Sequence, residues 1–169
     1  ADGRGGGGEP IWVTAERQGL QAAPTFWPGS EAEIAGVRPS RWLPYDGDLA
    51  YDARAEQALD WLDEGAAFLT LYFEAVDNAG HRHGPDAPEV AAAIAEVAAA
   101  LAHFVDGLRD RGRLDDVDLV VVSDHGMTPV SRDRVVVLDD AVDYESVDVD
   151  WGEVVGLWPD DSVDVEALI

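Results

Sequence analysis

Two short stretches of the chain carry side chains able to hold a metal ion. In Asp77-Asn78-Ala79-Gly80-His81 a carboxylate and an imidazole stand four residues apart. That spacing lets them meet across one turn, and Gly80 permits a tight bend, so both can reach one ion at zinc distances of about 2 Å. In Asp124-His125-Gly126 the two donors are adjacent. Neighbours in an extended strand point to opposite faces, so this pair shares an ion only if the chain turns there, which Gly126 makes easy. Each pair taken alone is weak evidence for a metal, since an Asp–His pair on a loop is more often a hydrogen-bonded turn. Together they offer oxygen plus imidazole, a donor set that suits zinc. Two metals about 4 Å apart are the usual apparatus of phosphoryl transfer.

The remaining candidates are weaker. His83 either lines the same site or faces water, and His103, beside Phe104, reads as a surface or hydrogen-bonded core histidine. The acidic pairs Asp115-Asp116, Asp139-Asp140 and Asp160-Asp161 read as solvated faces, with loose calcium binding as the alternative. Cysteine is absent, so any metal must use histidine and carboxylate.

The elements that must position these residues follow from periodicity and punctuation. Ile11 to Thr14 is a short apolar run of strand type. Pro24, Pro28, Pro39 and Pro44, with Gly29 and Gly36 among them, mark an irregular loop region holding Trp27 and Trp42. Ala55, Ala58, Leu59 and Leu62 predict a helix over Tyr51 to Glu64, stopped by Gly65. Phe68 to Phe73 predicts a strand. Asp86 to Asp110 is the strongest helix, with Asp86 and Glu89 as a capping box and Pro88 in the first turn. Its stripe runs Val90, Ile94, Val97, Leu101, Phe104, Leu108. Asp118 to Val122 and Val135 to Leu138 read as further strands, and residues 139–169 hold one or two edge strands. Strands alternating with helices predict a parallel sheet covered by helices. Ligands sit beyond the carboxyl ends of such strands, where Asp77 and Asp124 fall.

Composition narrows the function. The 169 residues amount to about one domain. Asp and Glu number 35 against 11 basic residues, all of them Arg, for a net charge of −24. So acidic a surface repels phosphate backbones and argues against a protein that coats nucleic acid. No window of about twenty unbroken apolar residues is present, so no membrane span is expected. The first residues, Ala1-Asp2-Gly3-Arg4 and four glycines, lack the apolar core of a signal peptide. The start reads as a cut rather than a beginning.

Four motifs then carry a resemblance. Glu9-Pro10-Ile11-Trp12-Val13-Thr14-Ala15 is the first, and Phe26-Trp27-Pro28-Gly29-Ser30-Glu31 the second. Glu74-Ala75-Val76-Asp77-Asn78-Ala79-Gly80-His81 with His83-Gly84-Pro85 is the third, and Ser123-Asp124-His125-Gly126-Met127 the fourth. In order and spacing they resemble the ectonucleotide pyrophosphatase/phosphodiesterase (type I phosphodiesterase) family, from about Glu9 to Pro159. The resemblance implies an α/β, alkaline-phosphatase-like fold, a mostly parallel sheet flanked by helices, here incomplete. It implies a hydrolase that cleaves phosphodiester or pyrophosphate bonds of nucleotides with two zinc ions. Asp77 and His81 match ligands of one Zn2+, and Asp124 and His125 match ligands of the other. Tyr45, in Leu43-Pro44-Tyr45-Asp46-Gly47, matches a tyrosine that stacks on the nucleobase, with a loop plug as the alternative. In the implied mechanism a threonine activated by one zinc attacks phosphorus, and water at the other zinc hydrolyses the intermediate.

This chain departs from the family pattern in several places. Thr14, Thr25, Thr70 and Thr128 all lack the neighbours of the family's nucleophile, so no catalytic residue is assigned. An upstream Asp ligand and a downstream His ligand have no counterpart either, which leaves partial zinc sites with two protein ligands each. Gly5-Gly6 stand where the family carries an aromatic pair. Residues 1–169 are therefore expected to be a partial phosphodiesterase catalytic domain with a flexible Gly-rich start at 1–10. The expected partners are a small nucleotide or phosphodiester substrate and the missing remainder of that domain. The piece by itself is expected to be inactive. Two rivals stand: another phosphoesterase of the alkaline phosphatase superfamily, or an inactive acidic binding module. The resemblance also implies an extracytoplasmic location, periplasmic or secreted.

Overall fold

The structure, a computed structural model, describes residues 8–138, 147–150 and 155–159. The chain divides into two compact units, Ala1–Pro129 and Val130–Ile169.

The first unit is built on two parallel strands, β1 (Ala22–Thr25) and β2 (Phe68–Leu71), in the register Ala22↔Phe68 to Thr25↔Leu71. Side chains alternate across a strand, so the pair has two faces to cover. Leu69 and Leu71 pack on one cluster with Ala55, Ala58, Leu59 and Leu62 of helix α2 (Tyr51–Asp63) and Phe104 and Leu108. Phe68 and Ala22 pack on another cluster with Trp12, Val13 and Ala15. Gly65 ends α2 at φ 99, a left-handed conformation that suits glycine.

The second cluster overturns one expectation. Ile11 to Thr14 is not a strand but the start of helix α1 (Ile11–Arg17). A four-residue apolar run cannot tell strand from helix by its period. Tertiary burial decides it: Trp12, Val13 and Ala15 are buried while Ile11 faces out. Glu16 then clamps α1 to the loop beyond it. Its carboxylate accepts from the Ala22 amide at 2.8 Å, the Ser40 amide at 2.6 Å and the Ser40 hydroxyl at 2.9 Å.

The strand after α2 ends at Leu71, two residues before the expected Phe73. The Asp77 to His81 segment is not a loop with a bend at Gly80. It lies inside helix α3 (Ala75–His83), with Gly80 buried in its body. The long helix α4 spans Pro88–Asp110, and Ala87 caps it without a side-chain bond, so the Asp86 and Glu89 capping box does not form. Pro88 needs no donor in that turn, so the helix starts there all the same. The buried stripe runs through Ala93, Ala100, Phe104 and Leu108, and Ile94 is exposed. By length and composition alone α4 is apolar enough to cross a bilayer, although no such span was expected. It carries Glu96 in mid-helix and packs Phe104 and Leu108 beneath α2.

Asp118 to Val122 and Val135 to Leu138 form no strand. A strand exists only where a neighbour completes its backbone hydrogen bonds. Among the described residues β1 and β2 pair only with each other, and Val120 stays 77% exposed.

In the second unit β3 (Val147–Asp150) pairs antiparallel with β4 (Gly156–Pro159), in keeping with one or two strands in the acidic tail. The Gly-rich start through Gly7, including Gly5-Gly6, and the pairs Asp139-Asp140 and Asp160-Asp161 lie outside the described residues.

Candidate functional site

Helix α3 brings Asp77 and His81 together. Residues four apart share a helix face, and His81 Nε2 stands 3.4 Å from Asp77 Oδ1. That contact lacks hydrogen-bond geometry. Asp77 Oδ1 is buried and has no hydrogen-bond donor among the described residues. A buried, unsatisfied carboxylate oxygen is unfavourable, and a cation is one way to satisfy it. The second pair also meets: His125 Nε2 lies 3.6 Å from Asp124 Oδ2, and the His125 amide donates to Asp124 Oδ1 at 3.2 Å. Ser123 donates its hydroxyl to the His125 carbonyl, which closes the turn expected at this position.

The two pairs are neighbours. Met127 packs on Gly80 so closely that a Cβ there would collide with its sulfur and stand 2.9 Å from its Cε. This gives Gly80 its purpose, which is close approach rather than a bend. Tyr72 senses both pairs: burial, then the charges of Asp124, Asp77 and Glu74, raise its phenol pKa above the usual value. Among the described residues no three His, Cys, Asp or Glu side chains stand in an arrangement that could hold a metal ion. The donor types therefore fit zinc, while each pair supplies two ligands where a catalytic zinc usually has three. His83 is exposed at the end of α3, and His103 pairs with Glu56 at 2.8 Å on the surface.

An aromatic cleft of about 150 Å³ adjoins them, lined by Phe26, Trp27, Pro28, Leu43, Tyr45 and Tyr72. Tyr72 is thus shared between the cleft and the carboxylates. Tyr45 lies edge-on to Phe26, with ring centroids 5.4 Å apart, and is 53% exposed. Its phenol pKa is raised by burial and then by the Glu74 charge. Phe26 follows β1 at φ 57, a left-handed backbone rare for a bulky residue and a mark of local strain. Trp42 is elsewhere, beneath the Arg38 guanidinium at 4.7 Å.

The sequence reading missed Arg54 and Glu74. Arg54 is fully buried, grips Glu74 with two hydrogen bonds of 2.8 and 3.1 Å, and donates to the Tyr72 carbonyl at 2.9 Å. Burial raises the Glu74 pKa, but the Arg54 hydrogen bond and charge help carry it below the usual carboxylate value. A signal was present: Arg54 stands four residues before Ala58, on the apolar face of α2.

Comparison with known proteins decides the family. The model of the family described as type I phosphodiesterase / nucleotide pyrophosphatase matches residues 3–168. The chain belongs to this family. As a type I phosphodiesterase relative it is 42% identical over 132 residues to venom phosphodiesterase CdcPDE of Crotalus durissus collilineatus. That match covers 76% of this chain and 16% of the venom protein. Human ectonucleotide pyrophosphatase/phosphodiesterase family member 1 is 37% identical over 162 residues, 93% of this chain and 18% of the relative. The solved structure of murine ectonucleotide pyrophosphatase/phosphodiesterase 5 superposes with a TM-score of 0.82 at 31% identity. It covers 94% of this chain and 43% of that one. Another structure of the murine protein is an inactive variant in complex with AMP. This phosphodiesterase-family chain thus has the alkaline-phosphatase-like α/β fold, a parallel sheet with helices covering part of the domain, and spans under a fifth of its curated relatives.

Proposed function

We propose that residues 1–169 supply the base-binding cleft and part of the metal-ligand set of a zinc-dependent nucleotide pyrophosphatase/phosphodiesterase. In this reading Asp77 and His81 hold one ion, and Asp124 and His125 hold the other. Bound zinc would supply positive charge for the phosphate oxygens and lower the pKa of an attacking hydroxyl. Tyr45 stacks on the base, and Trp27 and Phe26 exclude water beside it; such stacking is worth about 1–3 kcal/mol. None of the described threonines is assigned as nucleophile. Thr14 donates to Glu9 at 2.7 Å, and the hydroxyls of Thr25 and Thr70 are buried on β1 and β2. With two donors per ion, the 169-residue chain binds zinc weakly and does not turn over nucleotides. The venom and ecto-enzyme names of the relatives favour an extracytoplasmic location.

One observation carries this reading: the buried, donor-free Asp77 Oδ1 beside His81, next to an aromatic cleft that shares Tyr72 with both carboxylates. The test is calorimetry on the purified chain with zinc, with AMP and with inorganic phosphate, alongside hydrolysis of a chromogenic nucleotide phosphodiester. Asp77→Asn should weaken zinc binding at least about tenfold, the loss of one charged ligand. Tyr45→Ala should weaken AMP about tenfold and leave phosphate alone unchanged. Unaltered zinc affinity in Asp77→Asn would sink the metal assignment. Equal losses for AMP and phosphate in Tyr45→Ala would instead favour a phosphoesterase of another substrate class.

A further inference from the structure

Among the described residues Arg54 is the one fully buried charge. A buried guanidinium is costly unless it is paired and its donors are satisfied. Here Nε donates to the Leu49 carbonyl at 3.0 Å and Nη1 to the Tyr72 carbonyl at 2.9 Å, and the fork closes on both oxygens of Glu74 at 2.8 and 3.1 Å. The Phe26 and Tyr51 rings cover it, 4.9 and 4.6 Å from the guanidinium carbon. An ion pair of this kind is often no more stabilising than well-packed apolar side chains of the same volume. Its distinctive product is geometry, because a bidentate fork fixes the plane of the carboxylate it holds.

What Arg54 fixes is a junction. The β1–β2 ladder ends at Thr25↔Leu71, and α3 begins at Ala75. Tyr72, Phe73 and Glu74 lie between, outside both elements. Such a stretch loses conformational entropy when it is held, so it needs anchors. Arg54 bonds its first residue through the backbone and its last through the side chain. Between them Phe73 stands edge-on to Tyr51, with ring centroids 5.1 Å apart. Tyr51 and Arg54 both belong to α2, so one helix grips all three residues.

Glu74 is also where α3 starts. Its backbone carbonyl accepts from the Asn78 amide at 3.0 Å and closes the first turn, which carries Asp77. A helix has fixed geometry, so holding its first turn sets where residues four apart on one face will point. On that face Asp77 Oδ1 is buried without a donor among the described residues, and His81 Nε2 stands 3.4 Å from it.

We propose that Arg54 is a positioning residue for Asp77 and His81: by bonding the Tyr72 carbonyl and the Glu74 carboxylate it fixes the junction between β2 and α3, and with it the turn that aims the Asp77 carboxylate. The proposal rests on the reading of that pair as metal ligands, and it adds what holds the pair in place. Lysine is no substitute, because a compact ammonium cannot face the same acceptors as a planar guanidinium.

The test uses the 169-residue chain with Arg54→Lys alone, combined with Asp77→Asn, and combined with Asp124→Asn. Thermal melts by circular dichroism establish that each is folded. Amide hydrogen exchange is followed at Asn78 and, as a core control, at Phe104, and zinc affinity is measured by calorimetry. A merely structural role would lower global stability and speed exchange at Phe104 at least as much as at Asn78. In Arg54→Lys exchange should instead quicken more at Asn78 than at Phe104, and zinc affinity should fall about threefold to tenfold, the worth of one hydrogen bond. That loss should vanish in the Asp77→Asn background, where the positioned ligand is already gone, and should add to the loss from Asp124→Asn. Exchange at Asn78 that only keeps step with Phe104, or a zinc loss that adds to that of Asp77→Asn, overturns the positioning role. Should Arg54→Lys not fold, Glu74→Gln weakens the same fork and gives the same two readouts. Failure of the unmutated chain to bind zinc would count against the metal reading itself, and exchange at Asn78 would still decide whether Arg54 fixes the start of α3.

Discussion

Glu16 shows how much one carboxylate can organise. Burial works against its charge, but hydrogen bonds from the Ala22 amide and from both Ser40 donors hold its pKa below the usual carboxylate value. A carboxyl depressed in the folded state contributes stability above its unfolded pKa and loses it as pH falls through the folded one. Acid titration of stability should therefore be steeper in the natural chain than in Glu16→Gln, with the two curves converging below about pH 4. Parallel curves would show that the clamp is energetically silent. Gly80 makes a second point. Alanine in mid-helix is favoured over glycine by about 1 kcal/mol, but its methyl would displace the flexible end of Met127. Gly80→Ala should leave the urea midpoint nearly unchanged and yet weaken zinc binding, because Met127 belongs to the turn that carries Asp124 and His125.

At the level of elements, the contact between α2 and α4 is the most demanding in the unit. A Cβ at Gly107 would collide with Leu59 Cδ1 and stand 3.3 Å from Cδ2, and Leu59 is fully buried. Unlike Met127, a branched side chain locked in a core cannot step aside, and overpacking costs about 1–3 kcal/mol. Gly107→Ala should thus lower stability despite its gain in helix propensity, read as a drop in the urea midpoint at constant slope. The same two helices are joined at their rim by Arg111, which bonds Asp63 at 3.0 Å and Glu56 at 3.3 Å. These groups are partly exposed, so the pairs add little and serve mainly to satisfy charges on an acidic surface.

Across the whole molecule the net charge of −24 dominates solution behaviour. Like charges destabilise a compact state and also keep chains apart, and both effects shrink as salt shortens the screening length to about 3 Å at 1 M. Melting temperature should rise between about 0.05 M and 1 M sodium chloride. Self-association should rise with it, because Leu119, Val120, Val121 and Val122 are exposed and β-prone. Sedimentation velocity at high salt should show less association in Val121→Glu. Equal association in that variant would place the sticky surface elsewhere.

Sequence alone determined what depends on neighbours in the chain: the Asp77–His81 and Asp124–His125 pairs, helices α2 and α4, strand β2, and the aromatic loop with Tyr45. Donor spacing, a 3.6-residue period and glycine stops are all local, so they survive without knowledge of the fold. The tertiary structure decided what depends on distant partners. Ile11 to Thr14 became helix because Trp12 and Val13 found Ala22 and Phe68 to pack on, and Asp118 to Val122 stayed unpaired for want of a ladder. Arg54 looked like one more charge in a helix until Glu74, twenty residues on, and the Phe26 and Tyr51 rings enclosed it. Burial and hydrogen-bond partnership are properties of the folded packing, and no local pattern specifies which remote side chain will supply them.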